Sequence, residues 1–146
     1  MTNIKKIMTD DHRHCDDIFA DIEKSVAAQE WDSATADFVG FSDAMARHFS
    51  AEEDFLFPAF EAKSGMTMGP TQVMRDEHAQ MRELMSAARD ALAAKDTEDY
   101  SGNAETLLIM MQQHNMKEEN VLYPMCDDHL VGQMATFLPK LQQKLK

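Results

Sequence analysis

The chain has 146 residues, enough for one domain with a real core. Its 26 acidic and 14 basic residues leave a net charge of −12, which excludes the basic surface that nucleic acid or an anionic membrane requires. Only five Gly and four Pro, among many Ala, Met, Glu and Gln, favour helix over strand.

The first predicted helix runs from an N-cap at Thr9 to about Gln29, with an inward stripe of His12, Cys15, Phe19, Ile22 and Val26. The second starts near Asp32 and carries Phe38, Phe41, Met45, His48, Glu52, Phe55 and Ala59. A loop from Lys63 to Pro70, with two Gly and a Pro, separates it from the third helix. That helix, Thr71 to Ala94, carries Met74, His78, Met81, Met85, Ala88 and Leu92. The fourth starts near Thr97 and carries Ala104, Leu107, Met111, His114, Glu118, Val121 and Met125. Pro58 and Pro124 are expected to kink or end the second and fourth helices. Leu130, Met134, Phe137, Leu138, Leu141 and Leu145 suggest a short fifth helix broken near Pro139. Short connections imply antiparallel neighbours, so the expected fold is all-α: an up-down-up-down four-helix bundle with a C-terminal extra helix, one domain over residues 1–146.

The chain repeats itself at an offset of 66 residues. His48-Phe-Ser-Ala-Glu52-Glu53 leads to Leu56-Phe57-Pro58, and His114-Asn-Met-Lys-Glu118-Glu119 leads to Leu122-Tyr123-Pro124. The same step carries Asp11-His12 onto Glu77-His78, giving pseudo-repeats at about 9–62 and 71–126 and a tail at 127–146. Residues four apart lie about 40° apart on a helix, so His48 shares a face with Glu52, and His114 with Glu118. Glu53 and Glu119 lie about 140° from those histidines and are expected to face outward.

Two carboxylates and four imidazoles thus point into a core of Phe, Met, Leu and Val, with no Lys or Arg on the second or fourth stripe. Buried charge without a partner costs several kcal/mol (of order 3–5) per group. A lone core histidine is usually just hydrogen-bonded, and one HxxxE is a weak signal. Four inward histidines, two of them in HxxxE within a repeat, are best explained by two metal ions held by His12, His48, Glu52, His78, His114 and Glu118. Imidazole and carboxylate donors suit Fe, Mn or Zn, and the absence of thiolates argues against a structural Zn site. His14 and His129 fall outside the set, and Cys15 and Cys126, isolated from one another, are read as small core residues. No tyrosine lies on the inner stripes, so no phenol is expected near the cluster.

His12, His48-x-x-x-Glu52-Glu53-x-x-Leu56-Phe57-Pro58, Glu77-His78 and His114-x-x-x-Glu118-Glu119-x-x-Leu122-Tyr123-Pro124 resemble the hemerythrin-like (HHE cation-binding) family over residues 9–126. The resemblance implies a four-helix bundle around a non-haem di-iron centre, Fe-O-Fe or Fe-OH-Fe, with Mn or Zn as possible substitutes. Oxygen carriers of that family place two His four apart on the third helix and HxxxxD on the fourth. Here Met74 and Arg82 flank His78 and the fourth helix reads HxxxE. The four-His, two-Glu set is similar to that of the di-iron domain of repair-of-iron-centres proteins, whose Cys-containing N-terminal domain this chain has no room for. If both glutamates and an oxo or hydroxo group bridge, each iron keeps one open position.

The expected function is binding or reaction with small oxidants (O₂, NO or peroxide) in sensing, scavenging or stress protection. The alternative is a non-catalytic iron-storage, iron-donor or iron-sensing module. Whether the chain is an enzyme is left open. The expected partners are diatomic ligands or peroxide, with no nucleic acid and no membrane. The expected location is the cytoplasm, because no apolar run reaches the roughly 20 residues of a membrane span.

Overall fold

In the computed structural model, which describes residues 2–146, helix α1 spans Ile4–Ala27 and α2 Trp31–Ala51. A π-helical turn, Glu52–Leu56, joins α2 to α3, Phe57–Ser64. Helix α4, Pro70–Ala93, follows a loop in which Gly65 adopts the left-handed conformation (φ 75°) that ends α3. Helix α5, Thr97–Lys117, passes through a second π-turn, Glu118–Leu122, into α6, Tyr123–His129. A 3₁₀ turn, Val131–Gln133, leads to α7, Met134–Lys144. No strand occurs among the described residues, and no helix is long and apolar enough to cross a membrane.

The two hairpins, α1 with α2 and α4 with α5, dock through α2–α4 and α1–α5 contacts. Their turns are copies. Gln29 (φ 57°) and Lys95 (φ 54°) are left-handed, and the next residues, Glu30 and Asp96, donate N–H to Ser25 and Ala91 carbonyls, closing the same C-terminal cap twice. The repeat therefore extends to turn geometry.

Several termini differ from the sequence reading. The cap of α1 lies six residues before the expected Thr9, at Asn3, whose side chain accepts from Lys6 N–H at 2.8 Å. The extension buries Ile4 and Met8, and Asp127 accepts from Ile4 N–H at 2.8 Å. Asp96, not Thr97, caps α5, and α2 begins at Trp31 without a side-chain cap. Helix α7 runs through Pro139 unbroken. An internal proline costs about 3 kcal/mol, and burial of Phe137 and Leu141, at about 1.5–3 kcal/mol each, offsets it.

The π-turns matter most. Phe57 N–H donates to Glu52 C=O and Tyr123 N–H to Glu118 C=O, five residues back rather than four. Pro58 and Pro124 follow at once: in an α-helix each ring would strike the carbonyl four residues earlier, and the wider turn relieves this. The helices thus continue past both prolines. The extra residue per turn also shifts helical phase. Val121, expected inside, is exposed, and Leu56, Phe57, Phe60, Leu122 and Tyr123 are buried in place of Phe55, Ala59, Val121 and Met125. Arg75 donates to the Glu53 carbonyl at 3.1 Å, taking up an acceptor that Pro58 cannot serve.

Two apolar clusters fill the bundle. One gathers Cys15, Phe19, Met45, Phe49, Met81, Leu107 and Met111 with their neighbours; the other gathers Ile4, Met8, Leu56, Phe57, Met74, Leu122 and Leu141 with theirs. On α1, α2, α4 and α5 the histidines fall in the chain between members of one cluster and members of the other.

Candidate metal centre

His12 comes from α1, His48 from α2, His78 from α4 and His114 from α5, while Glu52 and Glu118 open the π-turns. All six are buried, both glutamates completely. Nε2 of His78 lies 3.1 Å from Glu52 Oε1, and Nε2 of His12 lies 3.1 Å from Glu118 Oε1. His48 Nε2 approaches Glu52 at 3.5 Å and His114 Nε2 approaches Glu118 at 3.3 Å. The rings pair, His12 with His48 at 4.7 Å and His78 with His114 at 4.9 Å between centroids. Two donor sets follow, each with atoms within 4.8 Å of one another: Glu52, His78, His114 and Glu118, and His12, His48 and Glu118. The structure thus brings together all six residues selected from the sequence. His14 and His129 stay exposed, and His129 Nδ1 donates to the Met125 carbonyl.

Behind each histidine stands a carboxylate. Nδ1 of His12 meets Glu119 at 2.7 Å, His48 meets Asp11 at 2.7 Å, His78 meets Glu53 at 2.6 Å and His114 meets Glu77 at 2.8 Å. Carboxylates only accept, so each Nδ1 carries a proton and Nε2 points inward, the arrangement that orients metal-ligating histidines. Glu53 and Glu119 therefore do not face open solvent as expected. They turn away from the histidine of their own helix and reach one on a neighbouring helix. Glu53 is gripped further by Arg82, at 2.9 and 3.0 Å. Burial alone would push its carboxyl up, but hydrogen bonds and charge from His78 and Arg82 bring it down to about 2.

The donor set fits a cation. Glu52 Oε1, Glu118 Oε2, His78 Nε2 and His114 Nε2 are buried and lack a hydrogen-bond partner, although they converge. With Nδ1 protonated, a neutral imidazole turns a lone pair toward carboxylate lone pairs, and only a proton or a metal ion between them makes that favourable. In the metal-free protein, protons serve. Burial opposes charge on His114, yet Glu118, with Glu52 and Glu77, raises it to about 9. His48 and His78 rise against burial for the same reason, and Glu52 falls well below the ordinary carboxylate range through His48, Glu118 and His78.

Tyr123 is the residue the sequence reading missed. Its hydroxyl is fully buried, donates toward Glu52 Oε2 at 2.6 Å, and lies 2.9 Å from Glu118 Oε1. It lies five residues after Glu118, about 140° away on an α-helix, and the π-turn brings it back to the same side. Burial, with the Glu118 and Glu52 charges, raises its pKa well above 10, so the phenol keeps its proton.

Between the cluster and the first apolar core lies an enclosed cavity of about 10 Å³, room for roughly one water-sized molecule. His12, His48 and His114 line it with Cys15, Phe49 and three methionines, Met45, Met81 and Met111. Burial pushes the Cys15 thiol up to about 12, so it is a protonated wall residue rather than a thiolate ligand.

No curated protein and no solved structure matches the chain. The family model described as the Hemerythrin HHE cation binding domain matches residues 3–126, which contain every residue of the cluster and of the carboxylates behind it. The chain is a member of the hemerythrin HHE cation-binding family, a metal-binding helical bundle with a buried His/Glu cluster at its centre.

Proposed function

We propose that His12, His48, Glu52, His78, His114 and Glu118 hold two iron ions, and that the centre binds or reacts with small oxidants such as O₂, NO or peroxide. The observation that carries this reading is the enclosed cavity against three of the histidines, lined by Met45, Met81, Met111 and Phe49. It suits a ligand of one or two heavy atoms and no larger substrate. Iron held there supplies open coordination positions and one-electron redox chemistry.

The chain's own residues do the rest. The four carboxylates fix the imidazoles, and Phe49 stacks on His78 at 4.0 Å, holding the ring from its face. The Tyr123 hydroxyl keeps a proton at Glu52 and Glu118, where it steadies the orientation of both carboxylates. The methionines keep bulk water from the cavity. A complete carboxylate backing and full burial favour retention of metal over the rapid release that storage or donation requires.

The test is anaerobic loading with ferrous iron, elemental analysis, and optical spectra on exposure to O₂, NO and peroxide in turn. Two irons per chain with spectral change on at least one ligand is the expected result. Two irons with no response to any, and ready transfer to an apo acceptor, would replace this reading with iron donation.

A further inference from the structure

The two halves of the cluster match in sequence position but not in charge. Behind His78 and His114, Glu53 is held by Arg82 and Glu77 by Lys117. Behind His12 and His48, neither Glu119 nor Asp11 meets a Lys or Arg at ion-pair distance among the described residues. The repeat makes this pointed. Sixty-six residues before Arg82 stands Asp16, and the same step before Lys117 stands Ala51. Asp16 is near enough to Glu119 for the two carboxylates to repel. One histidine pair is thus backed by carboxylates that are ion-paired to a basic side chain, and the other by carboxylates that are not.

Resting on the metal reading above, we propose that the cluster is a pair of unequal cation sites, in which the His12/His48 side fills first and more tightly than the His78/His114 side. A backing carboxylate makes its histidine a stronger donor by drawing on the Nδ1 proton and adds its field at the ion. Arg82 and Lys117 compete for those same carboxylates and place positive charge behind the weaker side. The stronger side also suits the more highly charged ion. Arg82 and Lys117 are about half exposed, so the inequality shrinks as salt is raised.

Titration of the metal-free protein with Co(II) alone, followed by visible absorption and by calorimetry, tests this. Wild type should take up two ions in two steps separated at least about tenfold, the lower end of the effect of such backing groups on affinity. Arg82→Gln with Lys117→Gln should tighten the second step and close most of the gap, and Asp16→Arg should weaken the first. His12→Ala should remove the tight step and His78→Ala the weak one. Two equal steps in wild type, or a gap unchanged by Arg82→Gln with Lys117→Gln, overturns the inequality and leaves the metal reading standing. Fewer than two ions in wild type overturns both. Circular dichroism of each variant, the buried His12→Ala and His78→Ala included, checks that the bundle stays folded.

Discussion

Tyr123→Phe removes one hydroxyl and nothing else from a filled site. In the metal-free protein that hydroxyl supplies a proton to Glu52 at 2.6 Å and shares it with Glu118 at 2.9 Å. One proton makes one strong charge-assisted bond, about 1.5–3 kcal/mol. For a chain of this size that corresponds to a fall in Tm of roughly 3–12 °C. With metal bound, the same carboxylate oxygens gain a cation, and the loss should fall below about half of that. Tyr100→Phe is the control: Tyr100 is as deeply buried, but its hydroxyl has no partner, so its removal should be neutral or slightly stabilising. Calorimetric melts of both variants, with chelator and with metal, decide the matter. Equal losses at Tyr123 and Tyr100, or equal losses with and without metal, would refute the argument that the phenol serves the glutamate pair.

Other expectations follow from the carboxylates and the helix faces. Glu53→Ala and Glu119→Ala should each cost about 10–100-fold in metal affinity, while Glu52→Ala or Glu118→Ala, which removes a ligand, should abolish two-ion binding; elemental analysis after dialysis separates the two classes. His114 has a folded pKa of about 9 against 6.5 unfolded, so its contribution to metal-free stability is complete below pH 6.5 and is lost as pH rises through about 9. Urea midpoints between those values should fall in wild type and fall less steeply in His114→Gln, where His48 and His78 still contribute. Met74, buried one helical turn before His78, is placed to add an imidazole, so Met74→His should suppress reactions that need both metals and prolong any ligand-bound form. Arg82→His should not, because Arg82 faces Glu53 and Phe49 rather than the cluster; stopped-flow spectra compare them.

The six inward residues were legible because two independent periodicities agree on them: the i, i+4 helical step and the 66-residue repeat. Both fail at the π-turns. Extrapolating an α-helical phase past Glu52 and Glu118 put Val121 inside and left Tyr123 out. A signal was present, since Leu-Phe-Pro and Leu-Tyr-Pro interrupt helices that go on burying apolar residues, and a proline inside a continuing helix needs a wider turn. The outward reading of Glu53 and Glu119 failed differently. In a bundle, the face turned from one's own histidine is turned toward the next helix, and single-helix geometry cannot see that neighbour. Acidic residues at 11 and 77, and at 53 and 119, recur in both halves, and that recurrence was the available clue.

The crossing of carboxylates between hairpins ties the cluster to assembly. Each hairpin brings its own pair of histidines, but Glu52 and Glu53 of the first lie against His78 of the second, and Glu118 and Glu119 of the second lie against His12 of the first. Neither hairpin alone holds a complete donor set. Any ion in the layer acts as a clasp, and prying the hairpins apart and releasing the ion become one event. Chelation should therefore loosen α1–α2 from α4–α5 at the histidine level while leaving the turns at Gln29 and Lys95 shut, a contrast that amide hydrogen exchange resolves residue by residue.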